Sequence, residues 1–328
     1  MTRRSRRAQF RIVLVKRLKE PVRLFDVGAR GGIDRRWGRF HFVLEVLGFE
    51  PDPPECERLN QQAAKLDYRS RFLPYALGPD HGEVTFNVSR WPVASSSYEP
   101  NLEVLDAFPP AAELMTVVER RTLTTVPLDE VCAQEGVYPD CLKIDVEGAE
   151  LDVLRGAQTA LERSLMLEVE VEFDELFREQ PLFGQVDGHL RERGWRLLGL
   201  RRVSWRRSAG QCPGGIGYGG QLVSADALYF NARALESGLS TTRALKLALI
   251  LSAYRQHDFA IALLRRPPLS QLPARECRAL HAGVASPPSW GRRLVVRALR
   301  RFDAAHRRAL ADSLQDGAAR VWQDAHFF

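Results

Sequence analysis

The apolar positions of this chain fall into short runs that end on small or acidic residues. Residues 22–29 (VRLFDVGA), 42–50 (FVLEVLGFE) and 71–77 (RFLPYAL) are each bounded by Gly or Pro, as buried strands are. Between the second and third, PDPPE stops a strand and opens a helix through CERLNQQAAKL. Residues 141–146 (CLKIDV) and 165–171 (LMLEVEV) predict the fourth and fifth strands. Between them Leu151, Leu154 and Leu161 form the buried stripe of a helical stretch. Residues 195–203 (WRLLGLRRV) and 225–232 (ADALYFNA) are joined by a Gly-rich loop with no long helix, so they are predicted as antiparallel neighbours. Strand and helix alternating in this way predict an α/β domain with a largely parallel sheet.

Residues 83–126 break the rhythm. EVTFNVS (83–89) alternates with period two, and RRTLTTVPLDEV is β-rich, so this stretch reads as an insertion over one edge of the sheet. From about residue 236 the apolar spacing turns helical, in ALKLALILSAY (244–254), RRLVVRALRRF (292–302) and AAHRRALADSLQ (304–315). Three regions follow: a basic segment 1–21, an α/β domain 22–235 and a helical extension 236–328.

Composition narrows the classes. With 328 residues, 45% hydrophobic and 27% charged, the chain can bury a core without staples. No apolar run approaches the roughly 18–20 residues of a membrane-spanning helix. The basic N-terminus lacks a small-residue cleavage site, so no secretory signal is expected. The five cysteines are widely spaced without a C-x-x-C pair, which argues against a disulfide framework or structural zinc and for a reducing cytoplasm. The formal charge of +6 is carried by Arg clustered at the two ends. A solvated surface accounts for it, and an anionic membrane face or acidic substrate is the sharper alternative. No nucleic-acid partner is expected.

The first strand runs into a turn holding Asp26, Gly28, Gly31 and Gly32, where doubly wound folds bind nucleotides. The dinucleotide fingerprint fails, because Arg30 stands where its second Gly is required. Glu50 closes the second strand at the separation expected of a ribose-binding acid, and its charge would repel a 2′-phosphate. No G-x-x-x-x-G-K motif is present, so NTP hydrolysis has little support. A nucleoside ligand without pyrophosphate remains, and S-adenosylmethionine (SAM) is the obvious one. Asp26 could then hold its cationic methionine portion, or bond its own turn's amides instead.

Together FDVGARGG, GFEPDP, YALG (75–78), VPLDEV and LKIDVEGAELDVLRGA (142–157) resemble the FkbM family of SAM-dependent methyltransferases, in the family's order. LEVEVEFDELFREQPLF continues the resemblance, which covers residues 22 to 232. Arg30 and Gly31 stand where members often carry Asn and an aliphatic residue. The resemblance implies a class I methyltransferase fold, a seven-stranded Rossmann-like sheet with an antiparallel last strand, and cofactor contacts at Asp26, Gly28, Gly32, Glu50 and Ala76. It also implies O-methylation, commonly of sugar hydroxyls in glycans, glycolipids or glycosylated metabolites. Asp145 and Glu147, at the carboxyl end of the fourth strand, would then flank the reacting methyl. An alcohol needs a positioned base, so Asp145 is the first candidate for that role and Glu147 orients the hydroxyl. The plainer reading is that both cap the turn.

Lys143 reads as an ion-pair partner. Glu168, Glu170 and Glu172 alternate on one face of the fifth strand, and with Asp145 could offer oxygen ligands to Mg²⁺. A solvated or substrate-binding face at an exposed sheet edge explains them equally, and metal dependence is not the expectation. WPVASSSYEPN, with Trp91 and Tyr98, suits a sugar ring or is a plain loop. Docking of the tail's basic helices on the inner face of a membrane or on a glycosyltransferase is a further alternative to a plain solvated surface. The competing functions are an NAD-dependent oxidoreductase, which Arg30 and the antiparallel ending disfavour, and a catalytically inactive binding module, against which the retained acids weigh.

Overall fold

In the computed structural model, which describes residues 3–66, 68–207, 215–216 and 220–284, the apolar runs pair into sheets. The strands are β1 (Val22–Val27), β2 (Leu44–Phe49), β3 (Arg69–Leu73), β4 (Ala76–Leu77), β5 (Gly82–Ser89), β6 (Val117–Val126), β7 (Cys141–Ile144), β8 (Met166–Glu172), β9 (Trp195–Arg206), β10 (Gly215–Ile216) and β11 (Gln221–Asn231). The larger sheet has the order β10-β9-β11-β8-β7-β1-β2-β3. β3, β2, β1, β7 and β8 run parallel, and β11 lies antiparallel between β8 and β9. Apart from the two-residue β10, this is the seven-stranded sheet with an antiparallel last strand expected of a class I methyltransferase.

Two boundaries differ from the pattern reading. The run 71–77 is two strands: Pro74, which has no N–H to give a ladder, lies between β3 and β4, and β4 joins a second sheet of order β4-β6-β5. Residues 42–43 belong to a 3-10 segment, Arg35–Val43, whose first turn is capped by Asp34 accepting from the Arg36 amide at 2.6 Å. The core between sheet and helices holds the predicted stripe Leu151, Leu154 and Leu161, together with Phe25, Phe49, Ile144 and Leu167.

By contacts the described residues form two units, 18–247 and a second made of 3–17 with 248–284. In the second, helix Arg3–Arg17 packs on helix Ala274–Val284. A Cβ on Gly283 would stand 2.1 Å from the Phe10 ring, and Lys16 and Arg17 reach Glu276 at 3.0 and 2.7 Å. The helical readings at 292–302 and 304–315, and most of the Gly-rich loop, lie outside the described residues. Among the described residues no helix is long and apolar enough to cross a membrane.

Candidate active site

The carboxyl ends of β1, β2 and β7 meet because their exit turns are stitched together. The amides of Gly28 and Ala29 both donate to the Phe49 carbonyl, at 3.1 and 3.0 Å. The Asp145 amide donates to the Val27 carbonyl at 3.0 Å, and the Glu50 amide to that of Leu73 at 3.1 Å. A cleft opens over these turns. Gly28, Glu50, Ala76, Asp145 and Glu147 all line it, as do Arg30 and Lys143. Its other wall comes from the second sheet and the loop after β5, through Val84, Phe86, Pro92, Ser95, Ser97 and Leu123. The 83–126 stretch therefore faces the strand ends.

Gly28 has φ +78°, and a Cβ there would stand 1.8 Å from the Asp145 carbonyl oxygen. The glycine is demanded by backbone meeting backbone. Glu50 is 3% exposed; its Oε1 accepts from the Asp52 amide at 3.0 Å and from Arg30 Nη2 at 3.2 Å. Oε2 accepts nothing from the described residues. Burial pushes the carboxyl above its ordinary value, against the pull of that amide and of Arg30.

Asp145 is the more open acid, with its side chain 36% exposed and Oδ2 3.2 Å from Lys143 Nζ. Burial acts to raise it, but Lys143 and then a hydrogen bond with Glu170 outweigh that, and it lies below the usual carboxylate value. Glu147 goes the other way: burial, then the charges of Asp145 and Glu150, push it well up. Its backbone is left-handed, φ +58°, an uncommon state for a residue with a side chain. Ser96 holds it there, donating from Oγ to the Glu147 carbonyl at 2.5 Å while accepting from the Tyr98 amide at 2.9 Å. Ser96 is itself fixed to Asn87 by paired backbone bonds of 2.8 and 3.2 Å. The turn is capped by neither predicted acid but by Glu150, which accepts from the amides of Val146 and Gly148 at 2.7 and 3.0 Å.

Two predicted residues do not reach the cleft wall. Asp26 is 3% exposed and lies beside Lys143 Nζ, 3.2 Å from Oδ1, without the alignment of a hydrogen bond. Burial raises it to about 6, with Lys143 opposing. Gly32, at φ +91°, closes the turn through an amide bond to the Ala29 carbonyl at 2.9 Å and faces Leu59. Tyr98 turns its hydroxyl onto Asp152 at 2.8 Å, whereas Trp91 is exposed. The exposed-edge reading of Glu168, Glu170 and Glu172 is corrected: β8 lies inside the sheet, Glu168 and Glu172 are buried, and Arg36 grips Glu168 with two contacts of 3.2 Å. Arg30 and Ser96 were not singled out for these roles. The one signal for Arg30 was its charge in a glycine turn 20 residues before Glu50; for Ser96 it was the hydroxyl-rich run.

Strand order and cleft together define a class I, SAM-dependent methyltransferase. The chain belongs to the FkbM family: the family described as Methyltransferase FkbM domain matches residues 26–197. It is similar to the 2-O-methyltransferase NoeI of Sinorhizobium fredii, 27% identical over 54% of this chain and 74% of that protein. It is also similar to the hexuronic acid methyltransferase AglP of Haloferax volcanii, 26% identical over 48% of this chain and 59% of that one. Among solved structures, the SAM-bound magnesium protoporphyrin IX methyltransferase of Synechocystis PCC 6803 aligns with TM-score 0.35 at 8% identity, over 70% and 78% of the two chains.

Proposed function

We propose that this enzyme methylates a hydroxyl of a sugar, carried on a glycan, glycolipid or glycosylated metabolite. The cofactor is taken to lie over Gly28 and Ala76, its ribose on Glu50, with Asp145 as proton acceptor. The observation that carries this reading is the convergence of Gly28, Glu50, Ala76, Asp145 and Glu147 on one cleft. The names of NoeI and AglP support a sugar acceptor. The residues suit the nucleoside: Glu50 keeps Oε2 free for a ribose hydroxyl, and Phe49, Pro51 and Leu77 give apolar surface beside it. SAM, when bound, supplies a methyl group on a positive sulfur.

Asp145, held ionised by Lys143, would take the proton of the acceptor hydroxyl and so ready its oxygen for the methyl group that bound SAM would supply. Glu147, whose carboxyl is pushed up by burial and by the charges of Asp145 and Glu150, is placed to orient the acceptor hydroxyl. Asp26, off the cleft wall, keeps Lys143 in place between two carboxylates. Mass spectrometry of surface glycans with and without the gene tests the acceptor class: one methyl group should disappear from a sugar, and an unchanged glycan profile overturns it.

Glu50→Ala should weaken SAM binding by about 10- to 100-fold, the loss of one or two bonds to a charged acceptor, read by calorimetry. The sign of the pH effect follows from the raised Glu50. Protonation removes the acceptor, so SAM affinity should fall as pH drops, beginning above the ordinary carboxylate range; Glu50→Gln should flatten that profile. Calorimetry showing NAD binding and no SAM binding would favour the oxidoreductase. Ser96→Ala should lower kcat roughly tenfold, about the worth of one positioning hydrogen bond, with KM for SAM unchanged and partial rescue by Ser96→Thr. A change confined to thermal stability would make Ser96 merely structural.

A further inference from the structure

The face of the sheet that carries Asp26, Lys143 and Asp145 continues along β8 as Glu168, Glu170 and Glu172, and onto β11 as Asp226 opposite Glu170. Part of this charge is matched. Arg36 takes Glu168, Arg201 takes Asp226, and Lys143 lies between Asp26 and Asp145. Two glutamates, Glu170 and Glu172, are left over, and Glu150, from the helix that follows β7, converges with them.

One carboxylate oxygen each of Glu150, Glu170 and Glu172 lies within 4.8 Å of the other two. Glu150 and Glu172 are both 2% exposed. No Lys or Arg among the described residues forms an ion pair with any of the three. Glu150 is already bonded to the amides of Val146 and Gly148, which orient it. Glu172 differs: although 98% shielded, its carboxylate meets no donor from any other described residue. Glu170 lies against Asp145, with which it shares a hydrogen bond, but its Oε2 is sealed from solvent without a partner. Buried carboxylates that meet neither donor nor cation are costly. Two oxygens on one hard divalent cation, at about 2.1 Å for Mg²⁺ or 2.4 Å for Ca²⁺, stand at most about 4.2 to 4.8 Å apart. The three oxygens, all within 4.8 Å of one another, meet the outer limit of that span.

We propose that Glu150, Glu170 and Glu172 hold a divalent cation of the oxygen-binding class, Mg²⁺, Mn²⁺ or Ca²⁺. The ion ties the turn at residues 146–150 to β8 and so steadies the segment that presents Asp145 and Glu147. Its ligands line the back of the catalytic turn, and none of them lines the cleft. Burial and mutual repulsion push Glu170 and Glu172 well up and Glu150 to about 7, so protons and the cation compete for the same oxygens.

The test uses the full chain stripped with EDTA and titrated with Mn²⁺ alone, followed by electron paramagnetic resonance and thermal melting. Saturable binding of one ion with a rise in Tm is expected, and Glu172→Gln and Glu170→Gln should each weaken it by at least about tenfold. Glu172→Asp, which keeps the charge, should bind better than Glu172→Gln. No saturable binding by the native chain overturns the proposal. So does binding that the substitutions leave unchanged, which would put the ion elsewhere. Glu170→Gln raising the Tm with no metal bound in either protein also overturns it, because the carboxylates would then be balanced by protons. The native titration stands even if a variant fails to fold.

Discussion

Asp145→Asn should cut turnover by about 10²- to 10⁴-fold, the usual worth of a positioned base, with SAM affinity nearly unchanged. The amide has the same shape but cannot take the acceptor's proton. The replacement does not strand Lys143, because Asp26 Oδ1 remains 3.2 Å from its Nζ. The fold should therefore survive. Transfer of labelled methyl from SAM to glycan extracted from cells lacking the gene reads the first quantity, and calorimetry the second. A variant that turns over at the native rate, or one that loses SAM binding as strongly as Glu50→Ala does, would mean that Asp145 is not the base.

Gly28→Ala should be the most disruptive single-methyl change in the catalytic domain. The added Cβ would stand 1.8 Å from the Asp145 carbonyl oxygen, about half an ordinary contact distance. Both partners are backbone, and neither can swing aside. The β1 turn or the β7 turn must move, breaking the 3.0 Å bond from the Asp145 amide to Val27. The left-handed φ adds about 1–2 kcal/mol, and overpacking about 1–3 kcal/mol. The melting temperature should fall by roughly 4–20 °C for a domain of this size, and SAM binding should be lost with it. Gly31→Ala is the control. At φ +88° it bears similar torsional cost, but its Cβ would meet nothing within 4 Å. It should therefore lose only about 1–2 kcal/mol. Equal effects from the two substitutions would refute the steric account.

The central strands were legible because burial on both faces leaves little room for polar residues. The runs at Val22, Leu44, Cys141 and Met166 therefore announce themselves. Gly28, Glu50, Asp145 and Glu147 could be read for a related reason, since they interrupt apolar runs where strands end. The acids of β8 were misread. Period-two alternation says that Glu168, Glu170 and Glu172 share a face, but not whether that face meets water; that depends on Arg36, a distant residue of the segment Arg35–Val43. The Pro74 break was visible, but the partner that claims β4, a strand about 50 residues later, was not. Ser96 had no local signature for its contact with Glu147, because the two are 51 residues apart.

The position of β11 bears on how such a chain can be made. Among the described residues it is the last strand in sequence, yet it lies between β8 and β9 and is hydrogen-bonded along both of its sides. During synthesis, β8 and β9 emerge before the strand that pairs with both of them. Such long-range closure is slow, and open edges invite association between nascent chains. A chain stopped before residue 221 should therefore be recovered as aggregate, even though every residue proposed for catalysis would already be in it. Completion of the larger sheet thus depends on a strand that holds none of the residues proposed for catalysis.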